Sequence, residues 1–362
     1  MSAQSQPFSF GIEMELYLKP KSESLKRRLQ KLGFNPNGVD KTNQQLIFRK
    51  AMADEFTQNN IFTRTEKSSV YDRWTIAHEA ALDDIGGGYW PCELISPVLY
   101  THKNWAPVIN ALFAVLLRSC DVYLTKGCAT HVHVAPAGGK YTLSQIRNII
   151  KGVIYYEVPV MRIMHEDRKE NPWAQPNENT IPGCADKVKK VSEKGWNHVF
   201  DAFKHYDAFK DYIFVARIVT EVCPDRNVSW NFQNLTDSGT MEFRRPRGVD
   251  NPDAAKHWIA FTLGFMANVI REENWDAISH TKTHPSTDRL RAVIVRGATS
   301  INLPVQSSLL PALMADNNKA ATEFSKEERE IIRQKQAKKK NKRSLFVEKI
   351  INSRPNTPTG KK

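Results

Sequence analysis

Three short segments carry chemically capable side chains two residues apart. Glu13 and Glu15 alternate with Ile12, Met14 and Leu16, His131 and His133 with Val132 and Val134, and Glu242 and Arg244 with Met241 and Phe243. In an extended strand alternate side chains share a face, about 6.5–7 Å apart. The pattern therefore predicts three strands, each turning a polar pair to one side and an apolar set to the other. If these strands are neighbours, one open face carries Glu13, Glu15, His131, His133, Glu242 and Arg244, while Ile12, Met14, Val132, Met241 and Phe243 enter the core. Carboxylates at that density repel one another and raise at least one pKa. Divalent cations relieve the conflict, because they take oxygen ligands and tolerate an imidazole. Glu93 in CELISP and Glu79 in WTIAHE offer further carboxylates, and Arg244, Arg245 and Arg247 offer a positive clamp for phosphate or a substrate carboxylate. Each segment alone also suits a solvated strand face. Cys128, three residues before His131, reads as a small packed residue, since no Asn or Asp orienter accompanies it.

The elements that would hold these residues are legible in outline. Residues 8–18, 73–77, 92–97, 128–134, 228–235 and 240–245 read as strands, with Gly86-Gly87-Gly88 and Thr236-Asp237-Ser238-Gly239 as turns. Apolar residues recur at helical spacing over 103–120 and 254–270, and 197–214 also reads as a helix. Thr142 and Gln145 form a capping box that opens a helix towards Met164, interrupted by Pro159. Residues 35–70 read as an irregular surface excursion, and 166–195 as a long loop of the kind that forms a lid or a substrate-contacting segment. No Walker-type or Rossmann-type glycine loop follows a strand, and the strands alternate cleanly. The expected fold is therefore α+β: a mainly antiparallel sheet with one open face, backed by helices.

Composition narrows the class. The 362 residues, 41% hydrophobic and 25% charged, suit a globular protein and exclude collagen-like or wholly disordered chains. The largely apolar stretch Val108 to Leu117 is too short to cross a bilayer, and MSAQSQPFSF lacks the features of a secretory signal. Five widely spaced cysteines without a CxxC point to reduced thiols, hence a cytoplasmic setting. Of the net charge of +13, residues 319–362 carry +9, with 14 Lys+Arg against 5 Asp+Glu, which leaves +4 for the preceding 318. The charge thus makes no case for a nucleic-acid-binding body. The expected organisation is a catalytic body, 1–318, with 166–195 inserted, and a basic helical or disordered tail, 319–362. A second capping box, Ser325 and Glu328, opens the tail, and its KKKNKR run leaves a nuclear address open.

In order along the chain, FGIEMELYL, RWTIAHEAAL, ELISPVL, CATHVHV, RNVSWNFQNL and TMEFRRPRG resemble the amidoligase family, carboxylate–amine ligases related to glutamine synthetase and glutamate–cysteine ligase. The resemblance spans roughly residues 8–270 and implies a curved, glutamine synthetase-like sheet. By resemblance Glu13 and Glu15 are first-strand metal ligands, Glu93 a second-strand acidic ligand and Glu242 the late metal glutamate. His131 and His133 match the HxH segment whose first histidine contacts metal or nucleotide phosphate, Arg244 a phosphate-contacting arginine, and Asn231 and Asn234 a substrate-touching strand. The chain departs from the family pattern at Glu79-Ala80-Ala81, where Asp-x-Ser is usual, and at Ala129, where glycine is usual. The expected activity is ATP-dependent amide formation between a carboxylate and an amine or ammonia on a small molecule or peptide. Glu13, Glu15, Glu93, His131 and Glu242 would hold Mg²⁺ or Mn²⁺. His131, His133, Asn231 and Asn234 would line the nucleotide site, Arg244 and Arg247 would steady the migrating phosphoryl group, and Glu79 would accept the amine proton. The competing readings are a zinc-dependent amide hydrolase and a non-catalytic binding module.

Overall fold

A computed structural model of the chain describes residues 7–208, 215 and 219–338. It is α+β, built on an open sheet of nine strands among the described residues. The strands are β1 (Phe8–Pro20), β2 (Thr63–Arg64), β3 (Trp74–Ala77), β4 (Trp90–Ile95), β5 (Leu99–Tyr100), β6 (Cys120–Tyr123), β7 (Thr130–Pro136), β8 (Trp230–Asn231) and β9 (Met241–Phe243). Their order is β2-β3-β4-β1-β7-β9-β8, with β5 and β6 also pairing with β1. All pairings are antiparallel except β2–β3. The sheet is thus mainly antiparallel, as expected, and β1 lies at its centre because its length lets it pair with four partners.

The alternation in β1, β7 and β9 divides the sheet as the sequence predicts. Ile12, Met14, Val132, Met241 and Phe243 are fully buried on the helix-covered side. Phe243 stacks on Trp230 and Phe261, and Trp230 stacks on Phe265, which fastens the short strands β8 and β9 to the helix Pro252–Val269. That helix meets the helix Thr287–Ser300 glycine to glycine: a Cβ on Gly297 would lie 1.8 Å from the carbonyl oxygen of Gly264. All five cysteines are buried and unpaired.

Five expectations are corrected. Residues 35–70 are not an irregular excursion, because they hold the helix Lys41–Gln58, which buries Phe48, Ala51, Met52 and Phe56. Its stripe is blurred in sequence by Gln44, Gln45 and Glu55, which are also buried; Gln45, for example, donates to the Pro91 carbonyl at 2.6 Å. The helix over 142–164 breaks at Tyr156 into Leu143–Tyr155 and Glu157–Ile163, so Pro159 lies in the first turn of the second helix, where a missing N–H costs little. Residues 166–195 are not one long loop but the short helices Glu166–Lys169, Cys184–Lys189 and Val191–Lys194 with a 3-10 turn between. The strand expected over 228–235 is only Trp230–Asn231, followed by a 3-10 turn. The helix expected over 197–214 begins as Asn197–Phe200 and tightens to a 3-10 turn to Ala208; residues 209–214 lie outside the described residues.

By contact the chain divides into two compact units, residues 1–322 and 323–362. In the second, Ser325 and Glu328 exchange the capping-box bonds and residues 326–338 are helical. The remainder of the tail, including most of KKKNKR, lies outside the described residues. No helix of the described residues is long and apolar enough to cross a membrane.

One buried group gives the fold a pH dependence. His257 is fully buried, accepts the Leu310 N–H on Nδ1 at 3.0 Å and packs against Trp258 and Phe261. Burial pushes its pKa down to about 3. The unfolded chain takes up this proton near the ordinary value, about 6.5, and the folded chain does not. Stability from His257 is therefore complete above that value and declines as pH falls towards 3. Between pH 7 and 5 the loss is about 2 kcal/mol. Urea unfolding of the wild type and His257→Asn at pH 7 and pH 5 checks this: the variant should lose that much less on acidification, and equal losses would remove His257 as the cause.

Candidate active site

The register across the sheet builds the polar face row by row. Glu93 of β4 lies opposite Glu15 of β1, and Ala77 of β3 opposite Glu93. Glu15 is joined to Ala129 by two bonds: its own N–H donates to the Ala129 carbonyl (2.9 Å), and the Ala129 N–H donates to Glu15 Oε2 (3.0 Å). Glu13 lies opposite His131 of β7, His133 opposite Glu242 of β9, and Glu242 opposite Asn231 of β8. Segments up to 229 residues apart in sequence thus converge in one acidic, imidazole-bearing cup.

The cup has two halves with different electrostatics. In the first, His133 Nε2 lies 3.3 Å from Glu13 Oε1 and 3.7 Å from Glu242 Oε1. Glu242 is almost wholly buried and accepts from Asn231 Nδ2 at 2.7 Å, Asn234 Nδ2 at 3.0 Å and the Arg244 guanidinium. Burial alone would raise its pKa, but Arg244, His133 and His131 outweigh burial and hold it far below the usual carboxylate range. Burial likewise opposes ionisation of Glu13, and His133 and His131 overcome it. His133 is raised, since Glu13 and Glu242 outweigh its own burial. In the second half, burial together with the neighbouring carboxylates Glu79 and Glu93 pushes Glu15 up to about 8. Burial, Glu13 and Glu79 push Glu93 up to about 8 even though the Lys67 ammonium pairs with it. His131 lies between the halves, Nδ1 3.3 Å from Glu13 and 3.5 Å from Glu242, Nε2 3.8 Å from Glu15. Burial and Arg244 lower it to about 4, so it is a neutral imidazole near pH 7.

Of the residues singled out from sequence, Glu13, Glu15, Glu93, His131, His133, Asn231, Asn234, Glu242 and Arg244 come together here. Glu79 is buried beside Glu15 and Glu93, and its Oε1 accepts the Ala81 N–H at 2.7 Å. Arg247 is opposite Ala129, but its guanidinium meets His165 Nε2 at 3.2 Å and Asp167 at 3.4 Å instead of the acidic strand residues. Two residues escaped the sequence reading. Lys67 reaches Glu93 from the connection between β2 and β3. Arg168, fully buried, donates from Nη2 to the Arg244 carbonyl at 2.8 Å and from Nε to the Arg245 carbonyl at 3.1 Å. Neither carries a local pattern that would mark it; only the tertiary approach does.

A family model described as “Putative amidoligase enzyme” matches residues 6–266, a span that contains every residue of the cup. The chain belongs to this amidoligase family. Membership implies an enzyme of the ligase type. No curated protein matches the chain. The match begins before β1 and ends within the helix Pro252–Val269, so the family segment includes all nine strands and most of that helix.

The donor set of this amidoligase fits a divalent cation. Ligand atoms of Glu13, His133 and Glu242 lie within 4.8 Å of one another, with His133 Nε2 aimed between the two carboxylates. Oxygen donors with a single imidazole suit Mg²⁺ or Mn²⁺ better than zinc, which favours nitrogen and sulfur. The three ligand atoms group around His133 rather than His131, the imidazole picked out from the sequence.

Proposed function

We propose that this amidoligase is an ATP-dependent carboxylate–amine ligase. The observation that carries the reading is the registered cup: Glu13, His131, His133, Glu242 and Asn231 on adjacent strands, with Glu15 and Glu93 one row away. Glu13, His133 and Glu242 would hold one cation, and Glu15, Glu93 and His131 a second. Such cations supply charge neutralisation for the phosphates of bound nucleotide. In the reaction a substrate carboxylate oxygen bonds to the γ-phosphorus of ATP as the bond to the β–γ bridging oxygen breaks, releasing ADP and leaving an acyl phosphate. The amine then attacks the acyl carbon, phosphate departs, and the amine proton goes to a base, for which Glu79 is the candidate by position. Arg244 steadies negative charge on the moving phosphoryl group, held for that task by Glu242. Asn231 and Asn234 fix the Glu242 carboxylate and so the donor geometry. His131, neutral near pH 7, presents a ring nitrogen without adding charge to an already charged site.

The test is phosphate release from ATP with Mg²⁺, measured with panels of carboxylic acids and amines separately and together. Release should require one acid and one amine at once. Amide cleavage without nucleotide, dependent on zinc, would replace this reading with hydrolysis; no nucleotide or metal binding at all would leave a binding module.

A further inference from the structure

Lys67 is the cation that pairs with Glu93 in the cup. Its residue is exposed, yet its ammonium pairs with a Glu93 carboxylate that is buried, and it lies close enough to interact with Glu13 and Glu79 as well. The connection that carries it is tied at both ends. Arg49 Nη1 donates to the Thr65 carbonyl at 2.9 Å, and the Val98 N–H donates to the Tyr71 carbonyl at 2.9 Å. Between these ties the chain bends through a Val70 N–H bond to Ser68 Oγ. On the same connection a cleft of about 760 Å³ is lined by Lys50, Arg64, Lys67 and Ser68, with Asp54 and Glu66 as its carboxylates. Lys67 is therefore shared between a carboxylate of the cup and a cleft in which cations and hydroxyls outnumber acids.

We propose that Lys67 occupies, against Glu93, the place a divalent ion needs, and that on metal binding it leaves Glu93 to engage a substrate oxyanion. The inference rests on the reading of the cup as a cation site. Two positive charges cannot share one buried carboxylate edge without mutual repulsion, so binding of the ion and the Lys67–Glu93 contact compete. Once released, an ammonium on a four-carbon stem is a mobile point charge suited to a phosphoryl or carboxylate group.

Titration of the full-length protein with Mn²⁺ alone, followed by calorimetry or electron paramagnetic resonance, tests the first half. Lys67→Met should bind Mn²⁺ about tenfold more tightly than wild type, while Lys50→Met, which removes a cation of the same cleft that is not on Glu93, should leave affinity unchanged. Equal affinity in wild type and Lys67→Met would overturn the proposal while the metal reading stands; no Mn²⁺ binding in either would overturn both. In the Mn²⁺-loaded protein, inorganic phosphate and acetate then serve as oxyanion probes. Lys67→Met should lose at least about fivefold in affinity for one of them, which identifies the guest as phosphoryl or carboxylate. Unchanged affinity for both would overturn the second half.

Discussion

Glu13→Gln and Glu242→Gln should each lower turnover at least about a thousandfold and weaken Mn²⁺ binding at least about tenfold. Both carboxylates are held ionised against the cost of burial, Glu242 by Arg244 and the two imidazoles, Glu13 by the imidazoles. That charge is held in place by His133, His131 and Arg244, and an amide of the same shape cannot replace it. The two variants differ in their structural side effects. Glu242→Gln leaves the buried Arg244 guanidinium without its carboxylate, so a loss of some stability accompanies the loss of activity. Glu13 is partly exposed and its partners are imidazoles that are free to be neutral, so Glu13→Gln is the cleaner variant. Turnover, a Mn²⁺ titration and a circular-dichroism melt on the same samples separate the effects. Full turnover in folded Glu13→Gln would remove the acidic cup from the chemistry.

What was legible in the sequence follows from how local each feature is. The two-residue period of β1, β7 and β9 is a property of the backbone alone, and it assigned both faces of the sheet correctly, down to Phe243 inward and Glu242 outward. The same period separates Arg244, which joins Glu242 and His131, from Arg245, which goes to the core. What was lost depends on partners far away in the chain. β8 is two residues long because Asn177, from the supposed loop, closes its edge: its side chain accepts the Trp230 N–H at 2.9 Å and donates to the Trp230 carbonyl at 2.7 Å. The Gln175 backbone pairs alongside, accepting the Ser229 N–H at 2.7 Å. An asparagine side chain acting as a strand edge has no sequence signature. Residues 166–195 therefore read as a lid, when their buried polar groups fasten them to the strands that carry Asn231 and Glu242.

Arg245→Met should cost about 3–5 kcal/mol of stability. Arg245 is fully buried, its guanidinium pairs with buried Glu157, and its Nη2 donates to the Lys169 carbonyl at 2.8 Å. Arg168 returns the favour from the same segment, bonding the carbonyls of Arg244 and Arg245. The result is a reciprocal clamp between the end of β9 and residues 168–169, with Arg244 held in its middle. Removing Arg245 strands a carboxylate in the core; removing both charges does not. Glu157→Met/Arg245→Met should therefore recover most of the stability lost by Arg245→Met, because two apolar side chains fill the space without a desolvation penalty. Urea unfolding of the single and double variants measures this, and a double variant as unstable as the summed singles would refute the pairing argument. Turnover should not follow stability. The double variant still lacks the bond to Lys169, so the backbone beneath Arg244 is held from one side only. A well-folded but slow enzyme would assign the buried pair to aligning Arg244, whereas recovery of both properties would assign it to folding alone.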